Sequence, residues 1–202
     1  CLVFAALGLP LGVTNRRGGR SSGFALSIGG IAVYYVMLNN GEQAARFGEA
    51  VRVGDATVTL HPAGHVLGSA QAAVEQRGVR VVASGDYKRR RDPTCKAFEP
   101  VACDVFITEA TFALPVFSHP SAEHEVRKLL ASVAMFPERT HIVGACALGK
   151  AQRVMAELVR AGWDKPIYVH GALLEVTKLY QERGVELGDI RHVETAPKSL
   201  YA

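Results

Sequence analysis

The stretch from Leu60 to Glu109 (LHPAGHVLGSAQAAVEQRGVRVVASGDYKRRRDPTCKAFEPVACDVFITE) constrains the fold more than any other part of the chain. Its apolar runs have strand length, and each ends in a loop bearing one polar side chain able to ligate a metal. His65 lies between Gly64 and Gly68, Asp86 follows the run Val79 to Ala83 and Gly85, and Glu109 follows the run Asp104 to Thr108. Strand ends gathered at one rim of a sheet are where α/β proteins place their chemistry. An imidazole and a carboxylate at such positions suit a borderline ion, Zn²⁺ or Mn²⁺. The same residue types also serve as ordinary loop and turn residues, Gly-Asp above all. Spacing alone leaves both readings open.

The 202 residues, 49% of them hydrophobic and 21% charged, supply a core for one medium domain or parts of two. A net charge of +4 permits an acidic partner without requiring one. Cys1, Cys95, Cys103 and Cys146 show no CxxC spacing, so neither a zinc knuckle nor a disulfide framework is indicated, and a reducing cytoplasm is expected. The apolar run Leu2 to Val13 is broken by Gly8 and Pro10 and makes a poor signal peptide. Phe24 to Leu38 is too short to span a bilayer comfortably, so no membrane association is expected. Residues 1–40 match no periodic template. Arg16 to Gly23 (RRGGRSSG) reads there as a flexible basic linker.

From Gly41 the texture changes, beginning with a short helical or irregular piece to Phe47. Val51 to Val53 starts a meander, Gly54-Asp55 turns into Thr57 to His61, and Gln71 to Gln76 returns through Arg77-Gly78 into Val79 to Ala83. Beyond Glu109 the period becomes that of alternating helices and strands. Ser121 can cap a helix striped by Val126, Leu129, Leu130 and Val133 and ended by Pro137. A strand is expected over His141 to Gly144, then a helix striped by Ala151, Val154, Met155, Leu158 and Val159 and stopped by Gly162. Another strand, Pro166 to Val169, precedes a helix on Leu173, Val176, Thr177 and Tyr180 that stops at Gly184. The class is therefore α/β, with a parallel sheet in the second half.

Three further stretches bear on chemistry. Lys88, Arg89, Arg90 and Arg91 follow Asp86 directly and read either as a solvated loop or as a clamp on a phosphodiester backbone. No aromatic is interleaved in the run, so base stacking is not indicated there. Gly144 to Ala151 (GACALGKA) nearly matches a phosphate loop, but Ala151 lacks the hydroxyl that Mg²⁺ requires. His170, after a strand and before Gly171, is a candidate substrate contact; the remaining histidines are weaker.

Taken in order, HPAGHVLGSA (61–70), SGDY (84–87), TEATF (108–112) and ALGKAQ (147–152) resemble the metallo-β-lactamase fold in its β-CASP nuclease branch. With ATFALPVF (110–117) and YVHGA (168–172), the likeness is greatest to bacterial DNA-ligase-associated exonucleases, also described as mRNA 3′-end-processing-factor-like. The resemblance covers roughly residues 41–193. It implies an α+β sandwich: a partial αββα metallo-β-lactamase portion over residues 41–110, then the start of a β-CASP domain over 111–202, with 1–40 unassigned. His65 is then a ligand of one metal ion, Asp86 a carboxylate bridging two, and Glu109 the acid supporting the catalytic proton-transfer histidine. The implied cofactors are two divalent ions, Zn²⁺ or Mn²⁺, and the implied substrate is DNA, with RNA as the alternative. The implied partners are an ATP-dependent DNA ligase and a helicase. Lys88 to Arg91 and His170 would contact the nucleic acid. The family's HxHxDH cluster belongs upstream of Val51, yet residues 1–50 hold no histidine. Its later histidines belong beyond Ala202. A shifted or misplaced start and a truncated end are therefore expected, leaving a chain that binds metal weakly and turns over nothing. A non-catalytic nucleic-acid-binding module is the rival from another class.

Overall fold

A computed structural model describes residues 46–112, 114 and 116–196; the expectations for residues 1–40 lie outside them. Two units are formed, one from residues 46–64, 68–90 and 97–111, the other from 65–67, 91–96 and 112–196.

The first unit is built on a five-stranded sheet of β1 (Ala50–Val53), β2 (Ala56–Pro62), β3 (Ala70–Gln76), β4 (Val79–Ala83) and β5 (Val105–Ile107), in that spatial order. The first four strands form an antiparallel meander, and β5 joins β4 in parallel. At the Arg77-Gly78 turn both residues have left-handed backbones, φ 52° and 80°. Two such residues in a two-residue loop match the right-handed twist of the flanking strands. Because side chains alternate across a strand, the pairings Thr59↔Ala73, Ala73↔Val82 and Val82↔Phe106 put these residues on one face. Ala73 and Val82 are buried on that face, as is Gln71, while Val58 is buried on the other.

The second unit carries α1 (Ala122–Met135), α2 (Lys150–Arg160), β6 (Ile167–Val169), α3 (Gly171–Glu182) and β7 (Ile190–His192), followed by a short 3-10 turn at Val193–Thr195. Ser121 caps α1, its Oγ accepting the His124 N–H at 3.2 Å. Strands β6 and β7 pair in parallel. The core joins Ala151, Met155, Ala156, Val169, Tyr180 and Leu187, with Leu67 and Ile190 packed against it.

Two expectations are corrected here. Residues 141–144 are not a strand: they run irregularly, with Ile142 92% and Val143 49% exposed. An apolar run this short becomes a strand only where a neighbour supplies a ladder, which periodicity does not reveal. Strand β7 was not expected at all and takes the place beside β6. The described residues thus form a mixed α/β chain whose larger sheet is mostly antiparallel. None of their helices is long and apolar enough to cross a membrane.

Candidate functional site

The β2–β3 loop and the exits of β4 and β5 share one edge of the first unit's sheet. Pro62 opposes Ala70, Ala72 opposes Ala83, and Ala83 opposes Ile107, so the three connections leave side by side. Beyond the last pair, the Ser84 N–H donates to the Ile107 carbonyl at 2.9 Å. Asp86 lies just past that bond and is exposed; Glu109 lies two residues past β5 and is half-buried. The Glu109 carboxylate folds back locally, Oε2 accepting the Thr111 N–H at 2.7 Å.

The loop that bears His65 is fixed on its first-unit side by Gly64. A Cβ there would stand 2.5 Å from the Lys88 carbonyl oxygen and 2.7 Å from the Phe98 nitrogen. The Lys88 N–H donates to the Ala63 carbonyl at 3.0 Å, and the Glu99 N–H to the Pro62 carbonyl at 3.1 Å. Gln71, fully buried, donates from Nε2 to the carbonyls of both Pro62 and Glu99. His61 Nδ1 meets Glu99 Oε1 at 2.8 Å. Sequence reasoning passed over His61, Gln71 and Glu99 as parts of this edge. The one available signal was an amide at an inward-facing strand position.

In the second unit, half-buried His65 is followed by Val66 and Leu67, which are packed. The Leu67 N–H donates to the Tyr180 hydroxyl at 3.2 Å, and burial pushes that phenol's pKa up. Gly149, with φ 83°, lies so close to the Val66 side chain that a Cβ would collide with it.

The basic run divides between the units, Lys88 to Arg90 in the first and Arg91 in the second; Lys88 is half-buried and the three arginines are exposed. His170 is exposed and caps α3, Nδ1 accepting the Ala172 N–H at 3.2 Å. In the neutral ring the proton is therefore on Nε2, the nitrogen left to meet a ligand.

The phosphate-loop alternative finds three of its donors already engaged. The Gly149 N–H is taken by Gln152 Oε1 at 2.8 Å, that of Lys150 by Leu148 O at 3.1 Å and that of Ala151 by Cys146 O at 3.2 Å. A phosphate cradle needs such amides free.

Among the described residues, no three His, Cys, Asp or Glu side chains are grouped to hold a metal ion. Zinc sites ordinarily take three or four protein donors. The described donor set therefore does not by itself fit the two-ion centre that the resemblance implies.

No family model matches the chain. It is 27% identical over 164 residues to a protein of Opitutus terrae named probable DNA ligase, covering 77% of this chain and 15% of that protein. It is 33% identical over 117 residues to cleavage and polyadenylation specificity factor subunit 3 of Dictyostelium discoideum, covering 56% of this chain and 15% of that one. To an RNase J-like protein of Methanocaldococcus jannaschii it is 30% identical over 132 residues, covering 60% and 31%. The chain is thus similar to proteins named for cutting or joining nucleic acid, and spans from 15% to 31% of their lengths.

Proposed function

We propose that this chain belongs to a metal-dependent phosphodiester hydrolase of the metallo-β-lactamase fold and β-CASP branch. The observation that carries the reading is the placement of Asp86 and Glu109 after neighbouring parallel strands at one sheet edge, with a basic run beginning at Lys88. In this reading residues 41–110 belong to the hydrolase portion and 111–202 to the β-CASP portion. His65 and Asp86 are two of the donors that such divalent ions, Zn²⁺ or Mn²⁺, would take. Glu109 supports proton transfer, while Lys88, Arg89, Arg90, Arg91 and His170 contact the sugar-phosphate strand. The activity is that of a DNA exonuclease acting in the cytoplasm beside a ligase and a helicase in repair. The similarity over 77% of the chain to a probable DNA ligase supports that choice. Likeness to the RNase J-like protein and to the cleavage and polyadenylation factor favours RNA processing as the second reading.

The test is parallel digestion of end-labelled DNA and RNA by the complete gene product, with divalent ion present and after chelation. Cleavage is expected to need the ion, and Asp86→Asn is expected to lower it by at least about 100-fold, more than loss of an outer-shell partner costs. Cleavage that survives chelation, or that Asp86→Asn leaves within about tenfold, overturns the reading. DNA cut in preference to RNA decides between the two substrates.

A further inference from the structure

The basic run has no aromatic inside it, yet the first unit brings three rings to its start. Tyr87, next to Lys88, stands with its ring 5.1 Å from that of Phe98 and 6.2 Å from that of Phe106. Phe98 comes from the segment returning between β4 and β5, and Phe106 is the middle residue of β5. The Tyr87–Phe106 contact is edge-on, at 82°, and Tyr87 and Phe98 are themselves half-buried. Phe106 shares its face with the fully buried Val82, yet keeps 43% of its surface in water. The result is an oriented ring at the border of a packed face, with a cationic loop starting one residue from its neighbour. Arg89 and Arg90 on that loop are exposed.

An oriented, half-exposed ring whose neighbour Tyr87 leads directly into a run of cations complements one ligand chemistry, an unpaired base with its own phosphate. Every base has a π-face that stacks on an aromatic side chain, and adjacent Lys and Arg neutralise the backbone. A duplex keeps its bases stacked inside and offers such a surface phosphates alone. We propose that Phe106, held edge-on by Tyr87 where the run Lys88, Arg89 and Arg90 begins, is a stacking platform for a base of single-stranded nucleic acid. It rests on the nucleic-acid reading above and specifies the form of substrate, a single strand.

The test is binding by the 202-residue chain in chelator and low salt, so that no cleavage is needed. The probes are fluorescent oligothymidylate, an abasic strand of equal length and a duplex. Phe106→Ala is expected to weaken oligothymidylate binding about 5- to 100-fold and to leave the abasic strand unchanged. Phe106→Trp is expected to retain affinity and to show an indole quench on oligothymidylate that the wild type lacks. Equal weakening on both single strands, no weakening, or tighter binding of the duplex overturns the platform. Where Phe106→Ala proves unfolded by circular dichroism, the Phe106→Trp quench decides: its presence supports the platform and its absence overturns it. A gene product that cleaves nothing leaves this binding result standing, and a failed platform leaves the cleavage test intact.

Discussion

Gly64→Ala is expected to destabilise the first unit by about 2–5 kcal/mol, a left-handed backbone term of about 1–2 plus an overpacking term of about 1–3. Gly64 has φ 71°, which a side chain disfavours, and its would-be Cβ meets backbone atoms of Lys88 and Phe98 at 2.5 and 2.7 Å. Neither segment can retreat freely. The Lys88 N–H is tied to Ala63 and the Glu99 N–H, next to Phe98, to Pro62. Gly54, with φ 61° and open space around it, isolates the conformational term. Gly54→Ala should therefore cost only about 1–2 kcal/mol. Urea denaturation of the two variants makes the comparison, and equal midpoints would show that the close approach at Gly64 contributes nothing.

Gln152→Leu is expected to cost the second unit about 2–4 kcal/mol, since buried polar groups are left unsatisfied where the amide stood. Gln152 is fully buried at the start of α2 and accepts from Gly149 N–H through Oε1. Its Nε2 donates to Ala147 O at 3.0 Å and to Thr177 Oγ1 on α3 at 3.1 Å. Leucine nearly fills the same volume, so the loss reports on hydrogen bonds rather than on a cavity. Thermal unfolding measures it, and a loss below about 0.5 kcal/mol, the floor for one net hydrogen bond, would show that the amide does not hold the turn to the helices.

Local chemistry made much of this fold legible. Gly54-Asp55 and Arg77-Gly78 announce the hairpins because such turns demand left-handed residues, and Pro137, Gly162 and Gly184 mark the helix ends because each denies the next helical turn. Non-local information was hidden. The parallel pairing of β4 with β5 depends on a crossover, and β7 is three residues long with Arg191 at its centre. His141 to Gly144 has a strand's composition but no described neighbour to pair with. The buried Gln71 and Gln152 look like surface residues in a sequence, because each meets a partner far along the chain, the Glu99 carbonyl for Gln71 and the Thr177 hydroxyl for Gln152. At the candidate site the positions of Asp86 and Glu109 after successive strands could be read directly. Their common rim required the direction of β5, and the aromatic neighbours of Lys88 required three separated segments.

The lone parallel pairing in the larger sheet also has a consequence in time. Strands β1 to β4 close through local connections, whereas β5 reaches β4 only after residues 84–104 have doubled back. The entropy of closing so large a loop delays that contact until the hairpins exist to receive it. The rim bearing both carboxylates is then the last part of its unit to assemble and the first to open. Amide protons of Val105 to Ile107 should accordingly exchange sooner than those of Val58 and Val74.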